Sequence, residues 1–352
     1  MTSLLHDLPS VYQGLLSSWF ERPAPAESRS TCQSCAMCPS DPAPGSVTFE
    51  PSVKCCSFWP TLPNFLVGGM FRDERPELEE GRTRLRKRID TRIGIVPHWL
   101  AAPIKYRVLS TAARHHAFGR SEALLCPYYE RDQGNCTIWP YREGICSTFF
   151  CKYDSGADGR EFWRALRDHL SDVEVVLTRH AVLTVGSDEM GGLAPGRDWM
   201  TREELEDREP ADADYRSWWG SFVGQEESFY AATFDCISGL NSGDVVRLLG
   251  DSESLRVLED AAVQIDSPSL PARLALNPDL RRADLGNGDV EVEGYSRYDA
   301  RRYSTELLSG LELFRGGAEV ETARRHASTL GVSLDDAVLV GLWQARVLVS
   351  VD

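Results

Sequence analysis

The chain has 352 residues, of which 42% are hydrophobic and 26% are charged, a composition typical of a soluble globular protein with two or three domains. Its formal net charge of −15 argues against nucleic-acid binding, because neutralising phosphates requires a surplus of Lys and Arg. No apolar run approaches the roughly 20 residues of a transmembrane helix, and the N-terminus lacks the pattern of a signal peptide. We therefore expect a cytoplasmic protein with neither a nucleic-acid nor a membrane partner.

Residues 1–29 are predicted to form an N-terminal helix and a linker. Apolar residues recur at helical spacing from Leu4 to Trp19, and Pro23 ends this amphipathic pattern. The stretch that follows, up to residue 50, is rich in Pro, Ser and Ala and encloses the first cysteines. We interpret it as irregular chain that a metal orders.

Nine of the ten cysteines form two groups, which are the strongest chemical signal in the sequence. The first group is Cys32-x2-Cys35-x2-Cys38 followed by Cys55-Cys56, and the second is Cys126-x9-Cys136-x9-Cys146-x4-Cys151. In a reducing cytosol such thiols favour metal ligation or redox chemistry over disulfides. Nine thiols are one more than two four-thiolate sites require, which fits two clusters or two zinc ions with one thiol to spare. Cys236 lies alone in an apolar helical pattern and is predicted to be a buried residue without a metal.

Two predicted helices separate the cysteine groups. The first contains the pair Gly68-Gly69, which permits either close packing or a bend. The second carries a basic stripe, and we interpret it as a solvated helix face paired with the acids at 77–80. The stripe consists of Arg82, Arg84, Arg86, Lys87, Arg88 and Arg92.

The second cysteine group resembles the signature of the YkgJ-type cysteine-cluster family, a zinc- or iron-chelating domain, in the segment CPYYERDQGNCTIWPYREGICSTFF. The matching positions are Cys126, Pro127, Tyr128, Cys136, Ile138, Trp139, Arg142, Cys146 and Phe149, and the first group looks like an expanded form of the family's early cysteines. The resemblance covers residues 30–155 and implies a cysteine-rich metal-cluster domain. It implies chelation rather than one reaction, although some members, such as flagellin lysine methylases, look like enzymes with an iron–sulfur site.

The departures from the family pattern leave open which thiols share a metal. They are the long stretch between Cys38 and Cys55, the missing Pro after Arg142 and the additional Cys151. Aromatic residues beside the cysteines would exclude water, which favours an iron–sulfur cluster, 4Fe–4S in the first place, with zinc as the alternative. These residues are Phe58, Trp59, Tyr128, Tyr129, Trp139, Phe149 and Phe150; the alternative is that they only form an ordinary core.

Other candidates carry weaker signals. His98, His115 and His116 lie between the cysteine groups and could complete a site, although packing roles are expected. Arg142 could offset thiolate charge, and a structural role is the slightly better expectation. Residues 154–159 resemble a calcium loop only superficially, since EF-hand spacing is missing, so a turn with Asp158 as a helix cap is predicted.

Residues 156–268 are predicted to be a helical extension of the metal domain, with helices near 242–249 and 252–264. Residues 269–352 are predicted to form a small α+β, winged-helix-like module, with a hairpin at Asn287-Gly288 and helices near 304–314, 319–330 and 334–347. This module also resembles PqqD-type peptide-recognition modules, which implies a peptide or protein partner that adds a strand to an exposed sheet edge.

The sequence thus predicts a mainly α fold with irregular metal-binding loops and a small C-terminal α+β module. The predicted function is binding of a metal cluster that supports a modification or redox reaction on a peptide or protein. The alternative is a non-catalytic, zinc-stabilised interaction module. The sequence does not decide whether the protein is an enzyme.

Overall fold

A computed structural model describes residues 3–25, 34–42, 46–186 and 200–351, and the side chains of Arg114 and His115 lie outside this description. The chain is mainly α-helical, with small antiparallel sheets and a C-terminal α+β region. Within the described ranges, no helix combines the length and the apolar character that crossing a membrane requires.

The helices and strands follow one another in short steps, and many strands have only two residues. The α-helices are α1 (Leu4–Asp7), α2 (Asn64–Arg72), α3 (Glu79–Asp90), α4 (Ile104–Ala112), α5 (Arg114–Ala117), α6 (Gly144–Thr148), α7 (Gly156–Val185), α8 (Arg202–Leu205), α9 (Asp212–Trp219), α10 (Glu226–Ser238), α11 (Ser242–Leu249), α12 (Ser254–Asp266), α13 (Thr305–Gly310), α14 (Val320–Thr329) and α15 (Asp336–Gln344). The strands are β1 (Leu62–Pro63), β2 (Ile95–Val96), β3 (Trp99–Leu100), β4 (Tyr129–Glu130), β5 (Asn135–Cys136), β6 (Arg273–Leu276), β7 (Arg281–Asp284), β8 (Asp289–Glu293), β9 (Arg301–Ser304), β10 (Ala318–Glu319) and β11 (Leu348–Ser350).

The chain divides into two compact units, each built from separate stretches of sequence. The first unit comprises Met1–Ala24, Phe49–Phe149 and Arg167–Ser254, and the second comprises Pro25–Thr48, Phe150–Leu166 and Leu255–Asp352. The stretches 25–48 and 150–166 are therefore grouped with the C-terminal region, although the sequence predicts them as parts of a cysteine-rich domain and its helical extension.

The first unit is organised by the packing of α2 on α10. A Cβ atom on Gly68 would lie 1.8 Å from the carbonyl oxygen of Tyr230, and one on Gly69 would lie 2.4 Å from the Tyr141 ring. Only glycine permits this approach, so the close packing predicted for the Gly68-Gly69 pair is confirmed. The surrounding core contains the fully buried Trp219 and Phe229.

The N-terminal stretch buries its apolar residues without forming one continuous helix. Helix α1 covers Leu4–Asp7 and gives way to 3-10 turns at Ser10–Tyr12 and Ser18–Glu21. Pro9 accounts for the break, because proline disfavours helical geometry in the residue before it, and Leu8 is extended. The predicted apolar positions are nevertheless buried, including Leu4, Leu8, Tyr12, Leu15 and Leu16.

The C-terminal part of the second unit contains two three-stranded antiparallel sheets, ordered β10-β6-β11 and β7-β8-β9. The predicted hairpin is confirmed, since Asp284 pairs with Val290 across the turn. The side chain of Ser304 caps α13, as predicted, by accepting a hydrogen bond from the backbone N–H of Leu307. The last predicted helix ends at Gln344, and the chain continues into β11. Leu274, Phe314 and Leu339 lie fully buried in the core of this part.

Candidate thiol site

The end of the first cysteine group lies beside the start of the second. Cys55 and Cys56 occupy a short 3-10 turn, Lys54–Ser57. The backbone N–H of Cys126 donates a 2.7 Å hydrogen bond to the carbonyl oxygen of Cys56, and the carbonyl oxygen of Cys126 accepts one from Tyr129. The turn that carries Cys126 is thereby fixed against the turn that carries the vicinal pair.

The hairpin of β4 and β5 brings Cys136 to the same place. Cys136 pairs with Tyr129 in the ladder, and both the backbone N–H and the hydroxyl of Thr137 donate 2.9 Å bonds to the carbonyl oxygen of Tyr128. The loop-like signals around Gly134 therefore correspond to a tight hairpin rather than to a helix. Gly134 has a φ of 64°, which a residue with a side chain adopts only at a cost.

Cys146 lies on the short helix α6. Glu143 caps this helix, with carboxylate oxygens that accept bonds from the backbone N–H groups of Ile145 (2.6 Å) and Cys146 (3.1 Å). Since Glu143 is almost fully buried, the cap fixes the orientation of the first turn and of the Cys146 thiol.

The thiols of the first unit interact electrostatically with one another. Burial raises the pKa of Cys126, and the charges of Cys136 and Cys55 raise it further. Burial also raises the pKa of Cys146, with additional contributions from Glu143, Cys126 and Cys136. Buried thiolates that repel each other are unfavourable unless a cation lies among them.

The ionisation of Cys55 and that of Cys56 depend on each other. A hydrogen bond between the two thiols raises the pKa of Cys56, as do burial and the charges of Cys126 and Cys136. The same hydrogen bond lowers the pKa of Cys55. Cys55 is therefore the more readily ionised thiol of the pair, and Cys56 serves as its hydrogen-bond donor.

Helix α3 supports the Cys126 turn through Arg84. The guanidinium donates to the carbonyl oxygens of Pro127 (2.9 Å) and Tyr129 (2.8 Å), and it forms ion pairs with Glu80 and Glu130. Arg84 thus joins α3 to both sides of the turn. It also lowers the pKa of Cys126, although burial dominates.

The prediction that the basic stripe on α3 is a solvated helix face is only partly confirmed. Arg82 and Arg86 pair with Glu79, and Arg84 pairs with Glu80, as the interpretation requires. However, Arg82 and Arg88 are buried. The stripe therefore faces the protein interior as much as the solvent.

Aromatic residues cover the thiols on one side. Tyr128 is fully buried, and the Tyr106 hydroxyl accepts a bond from the backbone N–H of Trp59 and donates one to the carbonyl oxygen of Ser57. In contrast, Trp139 is 49% exposed and Phe149 is 39% exposed. The aromatic shield predicted from the sequence is closed near Tyr128 and open near α6.

A buried acid pair behind α6 has no counterpart in the sequence analysis. The carboxyl group of Glu174, on α7, accepts bonds through Oε1 from the Tyr12 hydroxyl and, at 2.7 Å, from the backbone N–H of Gly144. Burial and the charge of Glu143 raise the pKa of Glu174 to about 8. Only folding brings residues 12, 143 and 174 together, so no local pattern announces them.

The remaining predicted ligands lie elsewhere in the chain. Cys35, Cys38 and the buried Cys151 belong to the second unit, where the backbone N–H of Cys38 donates to the carbonyl oxygen of Cys35 at 3.0 Å. Cys32 lies outside the described residues. Cys236 is on α10 of the first unit, in the helix predicted for it, but it is half-buried and not buried as predicted.

The other candidates have structural surroundings. Burial lowers the pKa of His98, the side chain of His116 is exposed, and that of His115 is outside the description. Arg142 lies 3.8 Å from the centroid of the Trp139 ring and donates to the carbonyl oxygens of Trp139 and Asp7, which favours its structural role.

The segment 154–159 forms a turn that leads into α7, as predicted. The helix begins at Gly156, so Asp158 lies in its first turn and is not the helix cap that the sequence predicted. There it accepts a 2.9 Å hydrogen bond from Arg346.

Among the described residues, no group of three or more His, Cys, Asp and Glu side chains is already arranged to hold a metal ion. No family model, no curated protein and no solved structure matches the chain.

Proposed function

We propose that this chain binds a metal centre, in the first place an iron–sulfur cluster, through the thiols of its first unit. The ligands would come from Cys55, Cys56, Cys126, Cys136 and Cys146. The observation that carries this proposal is the joining of both cysteine groups by the backbone bond from Cys126 to Cys56. If the cysteines were only inert buried residues, core packing would not require two groups that are distant in the sequence to lie side by side.

The chemistry of these donors fits a soft or borderline metal. Thiolates are preferred by zinc and by iron–sulfur clusters, whereas magnesium and calcium prefer oxygen ligands. Burial disfavours the charged form of these thiols, and a bound cation would reverse that preference. Either centre requires four thiols, one fewer than the five present. The hydrogen bond between Cys55 and Cys56 favours one of them as a ligand and the other as its hydrogen-bond donor.

A second set of thiols would serve a second centre. It contains Cys35, Cys38 and Cys151 of the second unit together with Cys32, which the CxxCxxC spacing joins to them in the sequence. Spacers of two residues allow neighbouring thiolates to reach one ion or cluster. This assignment gives each unit its own candidate ligands.

An iron–sulfur cluster would supply electron transfer, which would support a redox or modification reaction on a peptide or protein. The burial of Tyr128 and Tyr106 beside the thiols favours this reading, since exclusion of water tunes such clusters. The alternative is a zinc ion that stabilises a non-catalytic interaction module, and zinc would provide folding energy without redox chemistry.

Anaerobic purification with iron, zinc and acid-labile sulfide analysis tests the proposal. A brown protein with iron and sulfide in equal amounts is the expected result, whereas a colourless protein that contains zinc would establish the alternative. Protein that retains neither metal after reconstitution would overturn metal binding altogether.

A specific observation also favours a peptide partner for the C-terminal part. Strand β7 is an edge of its sheet, and all four of its residues, Arg281–Asp284, are exposed. Within the described part of the chain, β8 is its only strand neighbour, so its outer backbone groups are available to an added strand.

Selection of binders from a random peptide library tests this second role. A bound peptide is expected to slow hydrogen exchange of the β7 amides, and Arg282→Pro is expected to abolish the effect, because the N–H of Arg282 points away from β8 toward the open edge. Binding that survives Arg282→Pro without protecting β7 would place the peptide elsewhere.

A further inference from the structure

Arg88 is a buried cation that lacks a carboxylate partner among the described residues. It is only 7% exposed, and its guanidinium donates to the carbonyl oxygens of Ile93 and Ala101, both at 2.9 Å, and to the Thr91 hydroxyl at 3.3 Å. No acid of the described chain lies within 4.0 Å of it. Asp207, whose charge acts on it from a distance, is itself paired with Lys105.

The position of Arg88 places it against both cysteine turns of the first unit. Its guanidinium carbon lies 4.7 Å from the centroid of the Trp59 ring, two residues beyond the Lys54–Ser57 turn that carries Cys55 and Cys56. Arg88 is also close to Tyr128, which lies two residues after Cys126. Burial raises the pKa of Tyr128, the charge of Arg88 lowers it, and the charges of Cys126 and Cys136 raise it further.

Three buried donors at this point make no aligned hydrogen bond. They are Nε of Arg88, Nε1 of Trp59 and the hydroxyl of Tyr128. The Tyr128 hydroxyl is near enough to the guanidinium for each to influence the other's pKa, but the geometry is not that of a full hydrogen bond. Native proteins rarely leave one such group unsatisfied, and three together indicate that a negative group belongs beside them.

Energetics lead to the same conclusion. Burying a guanidinium without a counter-ion costs several kcal/mol, and bonds to neutral carbonyl oxygens offset this cost only in part. A metal centre with four thiolate ligands carries a net negative charge, which would offset the remainder.

We propose that Arg88 is a buried charge-compensating residue of the thiol-bound metal centre and stabilises its more negative oxidation state. This inference rests on the proposed function, since it requires a thiolate-bound centre. It assigns to Arg88 a role other than that of a solvated arginine on the basic stripe. Arg88 acts through space and is not itself a ligand, so its removal should change the properties of the centre more than its occupancy.

The test compares Arg88→Gln, Arg88→Lys and, as a matched control, Arg86→Gln in the full-length protein loaded with its cluster. Glutamine keeps an N–H donor for the carbonyl oxygens of Ile93 and Ala101 but removes the charge, whereas lysine keeps the charge. Arg86 lies on the same helix but is 43% exposed and pairs with Glu227, so its replacement should have little effect on the reduction potential. The reduction potential is measured by a spectroscopic redox titration, and iron content and thermal melting are recorded for each variant.

We expect Arg88→Gln to shift the equilibrium at least tenfold toward the oxidised form, which is about 59 mV for a one-electron couple. Arg88→Lys at neutral pH and Arg86→Gln should stay within threefold of the original protein. If the metal is zinc, the quantity measured is the zinc affinity, determined by competition with a chelator. Arg88→Gln should then bind zinc at least tenfold more weakly.

The contrary outcomes are distinct. Original protein that holds no metal overturns the proposed function, and this inference with it. Metal-loaded protein in which Arg88→Gln has an unchanged potential, or shifts no more than Arg88→Lys, overturns this inference alone, because Arg88 would then only anchor residues 91–101.

Arg88→Lys also provides a measurement that does not depend on the folding of Arg88→Gln. A buried lysine loses its proton at high pH, whereas arginine does not. The potential of Arg88→Lys should therefore fall relative to that of the original protein as the pH rises. Parallel pH profiles would overturn the proposal.

Discussion

The backbone N–H of Cys126 donates its hydrogen bond to the carbonyl oxygen of Cys56, across a long separation in the sequence. This contact involves no side chain, so replacing either thiol leaves it intact. The geometry of the two turns can therefore be preserved while individual ligands are removed.

Single Cys→Ser substitutions at Cys126, Cys136 or Cys146 are expected to lower the metal content and the melting temperature of the protein. A hydroxyl is a poor ligand for a soft metal, and loss of the metal removes folding free energy, on the order of 10 kcal/mol for a structural zinc ion. Metal analysis and thermal melting of each variant provide the measurement. Cys236→Ser is the control, and equal metal loss in that variant would show that the thiols are wrongly divided.

Alanine is expected to have opposite effects on stability at two helical glycines, one in the contact between α2 and α10 and the other in α15. Gly68→Ala should lower the free energy of unfolding by at least about 2 kcal/mol, because its Cβ atom would collide with the Tyr230 carbonyl oxygen. Gly341→Ala, in α15, meets no atom within 4 Å and should stabilise its helix by about 0.5–1 kcal/mol. Urea unfolding measures both, and a neutral Gly68→Ala would contradict the close packing.

Glu174 predicts a loss of stability as the pH rises. Burial raises its pKa to about 8, so the folded protein retains a proton that the unfolded chain releases near pH 4.5. The stability that this group contributes is present below pH 4.5 and is lost as the pH rises to about 8, by about 1.4 kcal/mol per pH unit.

The range from pH 7 to 8 reduces the contribution of the histidines, because unfolded imidazoles, with a pKa near 6.5, are largely neutral there and burial lowers the pKa of His98 and lowers that of His169 to about 4 in the folded protein. Glu174→Gln keeps an oxygen acceptor for Tyr12 and Gly144 and should flatten the profile measured by urea unfolding. Identical slopes with and without the substitution would show that Glu174 is ionised in the folded protein.

The isolated fragment 272–352 is expected to fold cooperatively without metal. It contains none of the ten cysteines, and its core residues from Leu274 to Leu348 lie within it. It should melt below the temperature of the intact protein, since it lacks the pair of Arg346 with Asp158. Circular dichroism provides the measurement, with Phe314→Ala as a variant that should lose the transition. A non-cooperative fragment would mean that the stretch 150–166 is indispensable.

Local signals in the sequence predicted local structure well. Asn287-Gly288 marks the hairpin because the turn requires a positive φ, which is 75° at Gly286 and 88° at Gly288. Ser304 marks a helix start for an equally local reason. Strands of two residues, such as β1 and β3, are too short to produce a periodic pattern, and so the sheet that they form was not predicted.

The sequence predicts the donor atoms of the proposed site but not its surroundings. Nine grouped cysteines indicate metal ligation or redox chemistry, whereas no local pattern indicates that Glu174 contacts Tyr12 or that Arg88 is buried against Trp59. Such partners are chosen by tertiary packing. A charged residue in a local sequence pattern is predicted to be exposed to solvent, because its burial depends on elements far away in the chain.

The open edge of β7 has a consequence for how concentrated solutions of this protein should behave. An unpaired strand invites the same strand of another copy to pair with it, which is the first step toward fibrils. In this chain Arg281, Arg282 and Asp284 occupy that edge and are exposed. Parallel, in-register stacking of such edges, as in a fibril, would place like charges opposite one another, which disfavours that arrangement.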